Sequence, residues 1–250
     1  MSPSSPLLYT AGTPNGHKVS IALEELKEAY NFQYEVYKID FHKTEQKEPW
    51  FLKINPNGRI PALVDRSRDN FAVFESAAIL LYVAQHYDVE RKFSYDPVID
   101  PDLYSEQLQW LFFTHGGIGP MQGQAGHFYR YAVEKIPYAI NRYINETKRL
   151  YSVLNDRLVD REYLVGLGKG KYGIADINTY PWVRFSSWVG IESLEEFPNL
   201  DIKAWVKRIS ERPQVKSGLD IPDPQGPPMT KEEEEKAVEE RRKWILHTQK

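Results

Sequence analysis

Pro6-Leu7-Leu8-Tyr9-Thr10-Ala11-Gly12-Thr13-Pro14-Asn15-Gly16-His17-Lys18-Val19 is the stretch from which the fold can be read. Pro6 to Ala11 reads as a short buried strand. Gly16 to Ala29 reads as a helix, with Val19, Ala22, Leu23 and Leu26 on one face at 3.6-residue spacing. Between them lies the turn Thr13-Pro14-Asn15-Gly16, in which Pro14 restricts the residue before it. Asn15 is a good N-cap residue, and its amide also carries two N–H donors. Donors at a helix N-terminus, aided by the macrodipole, suit an anion or a thiolate. The local residues leave both readings open, a cap or a site.

Working outward, Tyr34, Val36 and Ile39 suggest a second strand, and Thr44 to Lys53 a weaker helix. Asn55-Pro56-Asn57-Gly58 is a turn by composition. Ile60 to Val64 and Phe71 to Phe74 read as strands around the polar turn Asp65 to Asn70, and Glu75 to His86 as an apolar helix. The result is a compact β-α-β-α-β-β-α unit over residues 1–88. Tyr95 to Pro101 is a connector. From there the patterns are helical: Leu103–His115, Phe128–Val159 (kinked or divided at Pro137), Asp176–Trp188 and Leu200–Arg212. Gly116-Gly117-Ile118-Gly119-Pro120 is expected to interrupt a long helix, as a plain break or to open a groove. An all-helical unit is therefore expected over residues 100–220. Residues 221–250 form a Pro-rich linker, Ile221 to Pro228, and a charged helix from Thr230 to His247. Thr230 and Glu233 are spaced as a capping box. This last helix reads as solvated, or as partner-docking through Trp244 and Ile245.

Composition removes several chemistries. The 250 residues are 41% apolar and 27% charged, an ordinary globular balance, with net charge −3 and no basic field for nucleic acid. There is no cysteine, which excludes disulfides, Cys-ligated zinc, iron–sulfur clusters and a cysteine nucleophile. Any thiol chemistry must come from a ligand. The six histidines are scattered and no metal site is expected. Met1 to Gly12 has no signal-peptide pattern, and Ala77 to Ala84 is too short to span a bilayer, so no membrane association and a cytoplasmic location are expected. Gly168-Lys169-Gly170-Lys171-Tyr172-Gly173 matches GxGxxG but lacks the following strand of a dinucleotide-binding unit, and reads as a basic turn.

Two further local signals accompany the Asn15 turn. A Pro at position 61 leaves the Ile60 main chain available to an extended peptide, or simply blunts an edge strand. Glu75-Ser76 opens a helix after a strand. A hydroxyl and free N–H groups there suit a carboxylate and Glu75 suits an ammonium, or the pair only caps the helix. Together the three signals fit a peptide with an amino-acid head, an amide middle and a thiolate.

These residues resemble the glutathione transferase family. The order Thr13-Pro14-Asn15-Gly16-His17-Lys18-Val19, Asn55-Pro56-Asn57-Gly58-Arg59-Ile60-Pro61-Ala62-Leu63, Phe74-Glu75-Ser76-Ala77-Ala78-Ile79-Leu80 is specific in combination. It is similar to the nu class and to fungal transferases related to the yeast nitrogen-catabolite regulator. The similarity continues through Gln109-Trp110-Leu111-Phe112-Phe113, Ile136-Pro137-Tyr138-Ala139-Ile140 and Ile174-Ala175-Asp176-Ile177, covering roughly Leu7 to Pro213.

The resemblance implies an α/β thioredoxin-like N-terminal domain, an all-α C-terminal domain, a homodimer and glutathione as co-substrate. It places Asn15 at the glutathione sulfur with Thr13 beside it, and Gln46 at the glycine end. Ile60 falls at the cysteinyl main chain before a cis Pro61, Arg59 is a further glutathione-binding residue, and Glu75 and Ser76 fall at the γ-glutamyl head. Arg149 reaches the ligand across the dimer. The expected activity is attack of the thiolate on a hydrophobic electrophile, a peroxide or a disulfide; the alternative is a non-catalytic glutathione-binding or regulatory protein. Trp110, Phe112, Phe113, Phe128, Tyr129 and Tyr131 are candidates to line the second substrate's pocket, or core residues. There are departures. Only Met1 to Pro6 precedes the first strand, so the regulator's prion-like behaviour is not implied. Gly173 stands where the family's helix cap three residues before Asp176 is usually Ser or Thr, and the segment from Gln225 onward has no counterpart in the pattern.

Overall fold

The computed structural model describes residues 5–198, 201–227 and 230–247. The expected start of a helix at Leu200 lies outside them, as do Met1–Ser4 and the side chain of Trp244. The first part is a four-stranded sheet of order β2-β1-β3-β4, built from β1 (Leu7–Thr10), β2 (Glu35–Lys38), β3 (Ala62–Asp65) and β4 (Phe71–Phe74). β1 runs parallel to β2 and antiparallel to β3, with Leu8 opposite both Val36 and Leu63. Alternation along β1 sends Leu8 to one face and Tyr9 to the other. Leu8 and Leu63 pack under α1 (Pro14–Tyr30) and α3 (Ser76–Tyr87) through Val19, Leu23, Ile79 and Val83. Tyr9, Ile39 and Ala62 meet Phe51 of the one-turn α2 (Pro49–Leu52) on the opposite face.

The second part is helical: α4 (Pro101–Phe113), α5 (Gly119–Gly126), α6 (Pro137–Leu158), α7 (Ile174–Arg184), α8 (Asp201–Ser210) and α9 (Pro213–Leu219). Its core holds the fully buried Tyr151, Tyr180 and Trp205. The two parts share a packed seam. A Cβ on Gly218 would lie 2.6 Å from the Ile21 Cα, so α9 sits directly on α1, and Ser20 Oγ donates to the Gly218 carbonyl at 2.6 Å. Arg212 adds a bidentate pair to buried Glu25, both bonds 2.7 Å. Among the described residues no helix is long and apolar enough to cross a membrane.

Several elements differ from the sequence reading. The weaker helix at 44–53 is a 3-10 turn at Glu45–Lys47 followed by α2, because Pro49 can only start a helix. Pro137 divides its segment, as one of the two expected outcomes, by beginning α6 after the turn His127–Tyr131. The Gly-rich string does not break its helix: α4 continues through a π-helical turn, Thr114–Ile118, into α5. The helix expected over 176–188 ends at Arg184 and continues as a 3-10 turn, Ser186–Val189. The segment at α9 has too few residues to show a periodicity.

Gly173 has a steric reason. A Cβ there would lie 2.6 Å from the Phe93 carbonyl oxygen, so the usual Ser or Thr cap does not fit. The Gly173 N–H donates to Asp176 Oδ2 at 3.2 Å, while Asp176 Oδ1 accepts from the Leu164 N–H and the Trp205 indole.

The terminal helix α10 (Lys231–His247) does carry the Thr230–Glu233 box, with Glu233 accepting from the Thr230 N–H at 2.8 Å. One side of it is exposed and the other packs on its own chain. It docks on a second π-helical turn of its own chain, His127–Tyr131. Arg130 pairs with Glu234 at 2.8 Å, and Arg242 donates to the carbonyls of Arg130 and Tyr131.

Candidate functional site

A cleft of about 710 Å³ opens between the sheet domain and the helical domain. Its sheet-domain wall carries Thr13, Asn15, Lys18, Gln46, Arg59, Ile60 and Glu75. Its helical wall carries His115, Pro120, His127, Phe128, Tyr131 and Trp182, with Ile245 of α10 at one side.

The Asn15 turn is built by its neighbours. Thr13, not Asn15, is the N-cap: its hydroxyl oxygen accepts the Gly16 N–H at 3.1 Å, and α1 starts at Pro14. Asn15 is therefore freed from capping. Gly16 is dictated by space, since a Cβ there would fall 2.3 Å from the Ala11 carbonyl oxygen. Asn15 Oδ1 accepts from the Trp182 indole N–H at 3.0 Å.

The second loop is held by Asn55, whose amide donates to the Arg59 carbonyl at 2.6 Å. The Ile60–Pro61 peptide is cis, and β3 begins only at Ala62, so Ile60 stands outside the ladder. Pro61 is buried behind Ile60 and does not line the cleft. Gln46, 2% exposed, also reaches the cleft, and neither of its amide atoms has a partner among the described residues. Such a buried, unpaired amide costs about 1–3 kcal/mol until something bonds to it.

At the third corner Glu75 occupies the left-handed region, φ 70°, directly before α3. A non-glycine residue there is strained and persists only where its surroundings fix it. Its carboxylate meets His115 Nε2 at 3.0 Å, across the domain boundary. Ser76 is the first residue of α3 and is buried just below the lining. Lys18 lies beneath both, 1% exposed, with Nζ 3.5 Å from Ser76 Oγ. Burial pushes the Lys18 ammonium down to about 7, and the Glu75 charge acts against that shift.

Asn15, Thr13, Gln46, Arg59, Ile60 and Glu75 thus share one cleft, with Pro61 and Ser76 immediately behind it. Arg149 is not brought there within one chain. It lies exposed on α6, paired with Glu146 at 2.7 Å. Of the six aromatic candidates only Phe128 and Tyr131 line the cleft. Trp110 and Phe113 pack against the helical core, Phe112 is 64% exposed, and the Tyr129 ring packs on Gly190. Lys18, His115, Trp182 and Ile245 are cleft residues that sequence reasoning missed. Lys18 could have been noticed as a lysine beside the apolar stripe of α1. The other three become neighbours of the site only through tertiary packing.

A four-stranded mixed sheet carrying such a turn, joined through a cleft to an all-helical body, defines the two-domain thioredoxin-like class. Comparison with known proteins narrows this. Residues 5–85 match the model of the glutathione S-transferase N-terminal domain and residues 141–213 that of its C-terminal domain. The chain belongs to the glutathione S-transferase family. It is 42% identical to glutathione S-transferase 2 of Schizosaccharomyces pombe over 222 residues, covering 84% of this chain and 93% of that protein. It is also 42% identical to the disulfide-bond oxidoreductase YfcG of Escherichia coli, over 85% of this chain and 93% of that protein. A crystal structure of a glutathione transferase homologue from Lodderomyces elongisporus, with two glutathiones per subunit, superposes with TM-score 0.79 at 40% identity, covering 87% of this chain and 99% of the other. The helix α10 lies beyond the matched C-terminal domain.

Proposed function

We propose that the protein is a glutathione transferase that binds glutathione in this cleft as its thiolate and also reduces disulfides. The observation that carries the reading is the convergence of Asn15, unpaired Gln46, Ile60 outside its ladder, and the Glu75–Ser76 helix start in one cleft. Glu75 takes the ammonium of the γ-glutamyl head, and the α3 N-terminus with Ser76 takes its carboxylate, above the Lys18 charge. The Ile60 main chain pairs with the cysteinyl unit, and Gln46 and Arg59 serve the glycine end. The sulfur then faces Asn15 and Thr13. A free thiol has a pKa of about 8.5, so its thiolate is a minority at neutral pH. The Asn15 amide N–H, the Thr13 hydroxyl hydrogen and the start of α1 supply preorganised positive dipoles for it. Arg149, exposed on α6 of its own chain, reaches the ligand across a homodimer.

The second substrate occupies the side lined by Phe128, Tyr131 and Ile245. In conjugation the thiolate displaces a leaving group from carbon. In disulfide reduction it attacks one sulfur, forming a glutathione mixed disulfide and releasing one thiolate. A second glutathione thiolate then attacks the glutathionyl sulfur, giving glutathione disulfide and the second thiolate. No protein sulfur takes part, since the chain has no cysteine. In peroxide reduction the thiolate attacks a peroxide oxygen, giving glutathione sulfenic acid and releasing an alcohol or water, and a second glutathione condenses with the sulfenic acid to give glutathione disulfide and water. The YfcG relative and the two glutathiones of the Lodderomyces structure support the disulfide reading. The test is reduction of a small disulfide by glutathione with and without enzyme. Acceleration that survives prior treatment of the apo-protein with a thiol alkylator is expected; a rate equal to the uncatalysed one removes the reductase activity and leaves conjugation.

A further inference from the structure

An asparagine can present either face of its amide to a bound sulfur. Nδ2–H stabilises a thiolate, whereas Oδ1 repels it. The choice between them is therefore a switch on the chemistry, and nothing in the Thr13–Gly16 turn itself decides it. The indole N–H of Trp182 is a donor only. The atom of Asn15 that meets it at 3.0 Å must be Oδ1, which leaves Nδ2 and its two hydrogens for the cleft.

Trp182 is itself fixed from behind. Its carbonyl accepts from Gln122 Nε2 at 2.7 Å, and the Gln122 Oε1 accepts from the Tyr151 hydroxyl at 2.7 Å. Gln122 and Tyr151 are both fully buried. The indole lies against Gly119, where a Cβ would come within 3.2 Å of Nε1, and over Gly123. Two glycines of α5 thus leave the space that lets the indole reach the other domain.

We propose that Trp182 is a positioning residue for the sulfur: it holds Asn15 with its N–H toward the cleft, so the helical domain sets the thiolate stabilisation supplied by the thioredoxin-like domain. This rests on the glutathione reading above. The path runs from Tyr151 on α6 through Gln122 on α5 and Trp182 on α7 to Asn15 on α1. It gives the Gly119 position a function in chemistry as well as in packing.

The test is the pKa of enzyme-bound glutathione, followed by thiolate absorbance against pH, in a double-mutant cycle of Trp182→Phe and Asn15→Ala. Trp182→Phe removes the donor and keeps an aromatic ring. The bound-thiol pKa is expected to rise by about 1 or more, with kcat/KM at neutral pH falling roughly 10-fold or more and the affinity for protonated glutathione within about 2-fold. In the Asn15→Ala background the same substitution should leave the thiol pKa where it is. An unchanged pKa in Trp182→Phe, or an equal rise in both backgrounds, overturns the proposal while leaving glutathione binding intact. No binding by the wild type overturns both this and the reading beneath it. Gly119→Ala, which crowds the indole at Nε1 and keeps every side chain of the Asn15–Trp182–Gln122 path, provides the same comparison if Trp182→Phe does not fold. A rise that disappears without the Asn15 amide supports the proposal, and no rise contradicts it.

Discussion

Lys18 shows how one residue can cost stability for the sake of a site. It belongs to α1, where its neighbours Val19 and Ala22 are core residues, yet it ends in a buried ammonium 3.5 Å from a serine hydroxyl. A charge so placed is expensive unless a counter-charge arrives. Its pKa is about 7 in the folded protein against 10.5 when free. The unfolded chain therefore binds more protons between those values, and stability from this site rises with pH across that window and is lost as pH falls through about 7. Lys18→Met keeps the stem and removes the charge. The variant is expected to be more stable than wild type at pH 6, by about 1 kcal/mol or more, with the margin shrinking toward pH 10. Urea unfolding at several pH values checks this; a margin that does not change with pH contradicts it. At this scale the sequence was legible in part. Thr13, Asn15, Gln46, Ile60 and Glu75 carry local signals or a family pattern, and they do share the cleft. Trp182 and His115 carry none, because their relation to Asn15 and Glu75 spans 167 and 40 positions, and no periodicity records such a contact.

At the scale of elements, α10 stands apart because it lies outside the matched family domains and still lines the cleft. Arg242 satisfies the carbonyls of Arg130 and Tyr131 at the end of a π turn, Glu234 pairs with Arg130, and the Arg241 guanidinium lies 4.9 Å from the Trp188 ring. These contacts hold Ile245 against the Phe128 and Tyr131 side of the cleft. Ile245→Ala is expected to raise kcat/KM for a bulky aryl electrophile relative to a small one by roughly 3- to 10-fold, with glutathione affinity unchanged. Equal changes for both substrates would show that α10 shapes no specificity. The sequence identified this helix from its capping box and charge pattern but not its seat. A thin apolar stripe looks the same whether water or the π turn of residues 127–131 faces it. The same limit explains the π turn at Thr114–Ile118. Glycines signal a break, and only packing against α7 shows that the helix carries on.

For the whole molecule, the seam between α1, α7 and α9 makes the cleft a property of both domains, since neither wall alone contains Asn15 and Trp182. The outer faces leave Phe71 and Phe74 on β4, Phe112 on α4 and Tyr138 on α6 exposed, at 55%, 38%, 64% and 80%. Together with the family resemblance they favour a homodimer joining the sheet domain of one subunit to the helical domain of the other. Light scattering at micromolar concentration should give twice the 29.1 kDa chain mass; a single-chain mass contradicts it. The two-domain plan was legible because strand and helix patterns alternate up to about residue 88 and helical ones follow it. The seam itself was not, since α9 is seven residues long. The central claim is that this chain, which has no cysteine, works by holding a glutathione thiolate at Asn15. Its most direct test is a pH titration of thiolate absorbance for glutathione bound to wild type and to Asn15→Ala. A bound thiol pKa well below about 8.5 in the wild type, returning toward that value in the variant, is the predicted result. The same thiol pKa in both proteins would contradict it.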